Sequence, residues 1–336
     1  MRKILRCIGL NLDLGLCLSL SVCYVMPEVA LAQTPAGAAY PAKPIRFVVG
    51  FPPSGTNDFL ARAVAPKMAE FLGQQVIIDN RGGASTMIAT ELVSRATPDG
   101  YTILLNAPAH ATNPAFTKPP YDSVRDFAFI SQVAESQNLL VCHTALPARD
   151  VQSLIAFARQ RPGELNYGSS GVGSTPHLSA ELFQYMTRVK FTHVPYKGSG
   201  AGMVALLSGE ISVYFANIPV AIAHVRNGRL RPLALSGLRR TPAVPGIATL
   251  AESGLPGFEV TSWFGIAAPA KTPRVIVDQL NSAIVRALNT PDLRARLQSE
   301  GAEPVGNTPE HYTAFIEREI VKWAKVIQAA GIKGQF

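Results

Sequence analysis

From Pro44 to about residue 236, short β-rich runs alternate with stretches of helical periodicity, and no other feature constrains the fold as strongly. Ile45-Arg46-Phe47-Val48-Val49-Gly50-Phe51 reads as a buried strand that Pro52-Pro53-Ser54-Gly55 breaks. Leu60, Val64, Met68 and Leu72 follow at four-residue spacing, one face of a helix in which Pro66 predicts a kink or a later start. Val76-Ile77-Ile78 and Tyr101-Thr102-Ile103-Leu104-Leu105 read as strands, with a helix over about 86–96 between them. Further strands are predicted near 138–142, 165–169, 191–195, 211–216 and 231–236, and helices near 150–160, 176–187, 200–208 and 218–227. The C-terminal third reads as helical, with stripes at Val277, Leu280, Ile284 and Leu288 and at Tyr312, Ile316, Ile320, Trp323 and Ile327. Such alternation predicts an α/β fold of largely parallel sheets, with ligands held beyond the carboxyl ends of strands.

The first 32 residues read as an address rather than as fold. Arg2, Lys3 and Arg6 precede a largely apolar stretch from Cys7 to Met26, and Ala30-Leu31-Ala32 supplies small residues for a signal peptidase. A membrane anchor is the competing reading, and Asn11 and Asp13 inside the stretch weigh against it more than against a leader. Cleavage after about Ala32 yields an exported protein and leaves 28 basic against 21 acidic residues. It also removes Cys7, Cys17 and Cys23, none of which follows the small residue a lipid anchor needs. The remaining Cys142 has no partner for a disulfide and sits in the apolar run Leu139-Leu140-Val141. The basic residues are scattered, which argues against nucleic acid and leaves a small acidic ligand compatible.

Three strand-to-helix loops could hold an anion. The first is Phe51-Pro52-Pro53-Ser54-Gly55-Thr56-Asn57-Asp58; the second is Tyr167-Gly168-Ser169-Ser170-Gly171-Val172-Gly173-Ser174-Thr175-Pro176-His177. The third, Pro195-Tyr196-Lys197-Gly198-Ser199-Gly200-Ala201-Gly202, adds an aromatic ring and a cation. Glycine lets a backbone approach a ligand, and unpaired amides at a helix start attract negative charge. Asp58 suits either a ligand amine or its own helix dipole, His177 either a ligand or a backbone group, and Lys197 either a bound acid or solvent.

These residues resemble the Bug, or TctC, family of periplasmic solute-binding proteins of tripartite tricarboxylate transporters. The resemblance begins with Tyr40-Pro41-Ala42-Lys43-Pro44-Ile45-Arg46 and the first loop, and continues through Asp79-Asn80-Arg81, Pro98-Asp99-Gly100-Tyr101-Thr102, and Tyr121-Asp122 followed by Asp126-Phe127. Pro195-Tyr196-Lys197-Gly198, Leu207-Ser208-Gly209-Glu210, Trp263-Phe264-Gly265 and Ala268-Pro269-Ala270 complete it. It implies a type II periplasmic-binding-protein fold: two α/β lobes, joined by crossing strands, that close over a ligand in the cleft. The lobes would be residues 40–142 with 263–336, and 143–262. The implied ligand is a small organic carboxylate, held by Phe51, Ser54, Gly55 and Asp58 of one lobe. Ser169, Ser170, Gly173, Ser174 and His177 of the other, with Tyr196 and Lys197 nearby, complete the set. Asn106 and Asn217, each ending a strand that faces the cleft, are added. Ser54 replaces a usual glycine, exchanging conformational freedom for a hydroxyl. Gly82-Gly83-Ala84-Ser85-Thr86 departs from the usual glycine-rich stretch and is left out of the site.

Neither a cofactor nor a metal is expected: His110, His143, His193, His224 and His311 lack paired ligand spacing. Gly171-Val172-Gly173 starts like a dinucleotide fingerprint, but Pro176 stands at the third glycine, and Gly168-Ser169-Ser170-Gly171-Val172 lacks the last glycine of a nucleophile elbow. The expected function is therefore a non-catalytic, monomeric receptor that delivers a carboxylate to membrane transporter subunits. The alternatives are a secreted serine-type hydrolase using the 168–177 loop, and a periplasmic sensor serving a signalling receptor.

Overall fold

The computed structural model describes residues 40–332, so the leader read at 1–32 and the last four residues lie outside the described residues. The apolar run after Pro44 forms β1 (Ile45–Val49), and α1 (Thr56–Leu72) follows unbroken with Pro66 inside it. Parallel pairing places β1 between β2 (Val76–Asn80) and β3 (Thr102–Asn106). A short turn at Ala84–Thr86 leads into α2 (Met87–Ser94), and α3 (Ala109–Phe116) follows β3.

The next strand, β4 (Phe127–His143), spans 17 residues and joins the two halves of the sheet. Its first part pairs with β9 (Thr261–Pro269), with Gln132 opposite Gly265 and Gln137 opposite Thr261. From Asn138 onward it pairs instead with β7 (Val213–Asn217) and β8 (Leu230–Leu235). Beyond β7, in parallel, lie β5 (Asn166–Ser169) and β6 (Thr192–Pro195). Helices α4 (Val151–Gln160), α5 (Thr175–Thr187), α6 (Ser199–Leu207) and α7 (Ile218–Arg226) connect these strands. The chain then returns through β9 to α8 (Arg274–Leu288), α9 (Pro291–Ser299), β10 (Ala302–Pro304) and α10 (Pro309–Ala330).

The sheet is mixed, which corrects the expectation of largely parallel strands. β9 runs antiparallel to β3 and β4, as do β7, β8 and β10 to β4, because the chain crosses between halves and must come back. The C-terminal third is likewise not helical throughout, since it contains β9 and β10.

Each half has its own core. Val277, Leu280, Ile284 and Leu288 of α8 are buried with Leu60, Val64 and Met68 of α1, as the periodicity predicts. Full burial of one such side chain is worth about 1.5–3 kcal/mol. Leu140, Cys142, Phe183 and Phe215 lie in the core of the other half. Burial pushes the Cys142 thiol up to about 11, as befits a core residue. Helix α10 bridges the two: Tyr312 and Ile316 pack with Phe129 and Trp263, whereas Trp323 and Ile327 pack with Phe183 and Phe215. Glu319 fixes that bridge, accepting from Trp263 Nε1 at 3.0 Å and from Trp323 Nε1 at 2.9 Å.

Candidate functional site

All three loops leave the carboxyl ends of parallel strands and enter helices, so backbone amides gather on that side of the sheet. The first loop is shaped by its own acid. Asp58 accepts from the Ser54 amide at 3.2 Å, Arg62 Nε at 2.9 Å and Asn80 Nδ2 at 3.1 Å, and Asn80 also donates to Phe51 O at 2.9 Å. Burial alone would raise the Asp58 carboxyl, but hydrogen bonds from Arg62, Ser54 and Asn80, with the Arg62 charge, hold it below the usual range. Its charge is thus spent within the loop. Ser54 adopts φ +74°, the left-handed conformation that a glycine takes without cost and that costs another residue about 1 kcal/mol or more.

The second loop spends two of its hydroxyls in the same way. Ser169 Oγ lies 2.7 Å from His193 Nε2 and accepts the Gly171 amide at 3.2 Å, while Ser174 Oγ donates to Gly171 O at 2.6 Å. The Gly173 amide donates to His177 Nδ1 at 3.3 Å, which puts the proton of the neutral ring on Nε2. His177 stacks on His193 with centroids 4.5 Å apart, and His193 stacks on Tyr167 at 4.7 Å. Burial, then the neighbouring His193, lowers His177 to about 3, and burial lowers His193 to about 4. Both rings are therefore neutral dipoles near neutral pH. Ser170 is buried and stands beside the Tyr214 hydroxyl.

In the third loop Tyr196 Oη donates to Glu210 Oε1 at 2.6 Å, and Lys197 is exposed. Its glycines face the first loop. A Cβ on Gly198 would lie 3.3 Å from Pro52 Cδ, one on Gly200 3.3 Å from Ser54 O, and one on Gly55 3.9 Å from Ser199 N. The second loop faces the turn at 84–86 and helix α3. There a Cβ on Gly171 would come 3.7 Å from Ser85 Oγ, and Thr112 Oγ1 donates to Gly173 O at 2.9 Å. Residues of the first half thus meet 171–173 and 198–200 of the second along one seam.

Asn106 and Asn217 lie deeper. Tyr312 Oη donates to Asn106 Oδ1 at 2.8 Å, and Asn106 Nδ2 is buried without a partner. Asn217 Nδ2 donates to Asn138 Oδ1 at 2.7 Å and Ser262 Oγ at 2.6 Å, where β4 changes partners. Ser262 Oγ is also 2.5 Å from Thr175 Oγ1 at the start of α5, and Asn138 Nδ2 donates to Ser179 Oγ at 2.8 Å. Asn217 thereby belongs to a buried polar network at the crossing strand.

Sequence reasoning passed over Thr112 and Ser262, left Ser85 out of the site, and quoted Thr56, Asn57 and Thr175 only as loop residues. Thr56 Oγ1 and Asn57 Oδ1, in the first turn of α1, are buried without partners. Ala84, Ser85 and Thr86 all have positive φ, between +45° and +74°, and no residue type there announces it. Strain of this kind persists only where the surroundings impose it. Asn113 Nδ2 does so by donating to Ser85 O at 2.9 Å, and Thr90 Oγ1 by donating to Thr86 O at 3.0 Å. Among the described residues, no cluster of three or more His, Cys, Asp or Glu is placed to hold a metal.

Residues 60–332 match the model of the TctC family, described as the tripartite tricarboxylate transporter family receptor. The chain belongs to the TctC family. It is 36% identical over 306 residues to Protein BugT of Bordetella pertussis, covering 90% of this chain and 94% of that protein. A solved R. palustris protein carrying adipate is 40% identical with TM-score 0.86, over 88% of this chain and 100% of that one. MatC from Rhodopseudomonas palustris, solved with malate, is 32% identical with TM-score 0.82, over 86% of this chain and all of its own. The TctC chain is thus a periplasmic solute-binding protein with two α/β lobes, from a family of receptors.

Proposed function

We propose that this protein captures a small organic carboxylate in the periplasm and hands it to the membrane subunits of a tripartite tricarboxylate transporter. The observation that carries the reading is the seam itself, where 51–55 meets 198–200 and where Ser85 and Thr112 meet 171–173, beside the starts of α1, α5 and α6, while the nearest carboxylate is already neutralised. Asp58 is satisfied by Arg62, Asn80 and the Ser54 amide, and His177 is neutral. An acid bound there is stabilised by fixed dipoles rather than by a buried cation. The adipate and malate carried by relatives of high overall similarity support the class. Phe51, Ser54, Gly55, Ser170, Gly173, Ser174, His177 and Lys197 are the proposed surroundings of the ligand. Asp58, Ser169, Tyr196, Asn106 and Asn217 shape them through their own hydrogen bonds.

In this reading the leader is cleaved after about Ala32, and the mature chain is a monomer without catalytic activity. Residues 40–142 with 263–336 form one lobe and 143–262 the other, with the hinge at Gln137 and Asn138, where β4 changes partners. Ser169 and His193 lie at the distance of a nucleophile and its base. That hydroxyl is fully buried and already accepts the Gly171 amide, which favours a structural role for it.

The test is thermal-shift and calorimetric titration of the mature protein with adipate, malate, monocarboxylates and inorganic phosphate. A ligand at about 100 times its Kd stabilises the folded state by about 2.7 kcal/mol. Carboxylates should raise the melting temperature and phosphate should not. Silence across the whole carboxylate panel would remove the reading.

A further inference from the structure

Helix α3 carries two neighbouring side chains that serve different halves of the molecule. Asn113 holds Ser85 O within its own half. Thr112 reaches the other way, donating from Oγ1 to Gly173 O at 2.9 Å, across 61 residues of sequence. Gly173 is held through both of its backbone groups, since its N–H donates to His177 Nδ1 at 3.3 Å. The approach is too close for a side chain: a Cβ on Gly173 would sit 2.7 Å from Thr112 Oγ1, at φ +76°. Next to this contact the rings of Phe116 and His177 stand 6.1 Å apart across the same seam.

We infer that the Thr112–Gly173 hydrogen bond is a latch on the closed cleft, and that Thr112 is a positioning residue that sets how long a ligand stays. The inference rests on the proposed capture of a ligand by lobe closure. Thr112 is fully buried and gives its hydroxyl to the protein. A second acceptor, Ala109 O, lies 3.5 Å from the same oxygen in the same helix. When the halves part, the hydroxyl falls back on Ala109 or on water, so opening does not strand a buried donor and the latch can release. A ligand enters the open form and leaves only after reopening, so the latch slows dissociation directly and touches association only through the open fraction of the free protein. One net hydrogen bond corresponds to about a five-fold change in the closed-to-open ratio. Because the latch touches only protein, that factor is the same for every ligand.

The experiment uses donor and acceptor fluorophores at the exposed positions Val275 on α8 and Tyr185 on α5, with Cys142 buried and unlabelled. The closed-to-open ratio is read without ligand, and association and dissociation rates are read with adipate and with malate. Thr112→Val is expected to lower the ligand-free ratio about five-fold and to speed dissociation of both acids by that factor, with association rising only as far as the measured open fraction rises. Thr112→Ser, which keeps the hydroxyl, should stay within two-fold of the parent. A Thr112→Val protein with the parent's ratio and dissociation rate overturns the latch, as does a Thr112→Ser protein equally impaired. If the parent answers neither acid, the kinetic arm is repeated with whichever carboxylate of the panel binds, and if the whole panel is silent the carboxylate reading fails while the ligand-free ratio still decides the latch.

Discussion

Replacing Asn217 by Asp exchanges a donor for an acceptor in the buried network at the crossing strand. Asn217 Nδ2 donates to Asn138 Oδ1 and Ser262 Oγ at 2.7 and 2.6 Å, with all three residues at most 5% exposed. Two net hydrogen bonds are lost, about 1 kcal/mol each. A carboxylate now faces the Asn138 carbonyl with no cation beside it, which adds about 2 kcal/mol of unmet desolvation. The expected loss at pH 7 is therefore about 4 kcal/mol, a large part of the roughly 5–15 kcal/mol that holds a typical protein folded. Burial raises the introduced carboxyl above its unfolded value near 3.9, so the penalty is smallest below that value and grows as pH rises through the folded one. Once protonated, the group has one O–H to donate, and about half of the loss should return. Urea unfolding of parent and Asn217→Asp at pH 7 and pH 4 measures both numbers. A difference below about 0.5 kcal/mol at pH 7 would refute the network and return Asn217 to the open cleft.

Three further outcomes follow from single contacts. A Cβ on Gly265 would collide with the buried Tyr312 hydroxyl, which donates to Asn106, so Gly265→Ala should cost about 3 kcal/mol in denaturant unfolding. Glu319→Leu leaves the indole N–H groups of the only two tryptophans without their acceptor and should cost about 2–4 kcal/mol with a shifted tryptophan emission; Glu319→Gln, which keeps an acceptor oxygen, should cost less than half as much. Burial holds His110, His177 and His193 at about 4, 3 and 4, below the 6.5 of an unfolded histidine. Stability should accordingly be level above pH 6.5 and fall as pH drops from there toward 4, and an unfolding midpoint unchanged from pH 7 to 4.5 would contradict three buried neutral imidazoles.

The periodic parts of the chain were legible because the repeat itself marks the buried face, whichever partner covers it. The α8 stripe buries as its spacing requires, as does the α10 stripe apart from the half-buried Ile320, and the three glycine-bearing loops open where a strand run meets a breaker. The first eleven residues of β4 were not legible, because Ser131, Gln132, Glu135, Ser136 and Gln137 make a buried strand look like a loop. What admits them is remote: Ser131 Oγ donates to Asn307 O at 2.8 Å, and Ser136 Oγ to Gly301 O at 2.9 Å. Asn217 shows the same limit at the site. Its residue type suits a helix cap, a ligand contact or a buried network, and only Asn138 and Ser262 decide among them. Ser54 is the opposite case, since a serine at a position the resemblance gives to glycine foretold a conformational cost, and φ +74° is that cost.

The contacts behind the crossing strands bear on how the halves can move. Gly301 packs against Ile218 so closely that a Cβ there would collide with it, and Arg226 donates to Ser299 O at 3.0 Å. Beside them is a recess of about 590 Å³ lined in part by Gln137, Arg239, Thr261 and Gly301. The seam of 51–55 with 198–200, and of Thr112 with Gly173, can open without breaking the Asn138 network only if β4 bends near that network. In the proposed opening, Ile218 and Gly301 already touch and would act as the pivot, and the recess leaves room for 237–242 to approach Gln298 and Glu303. The back contacts and the latch would then oppose each other, with the polar network between them keeping the register of β4 fixed while both change.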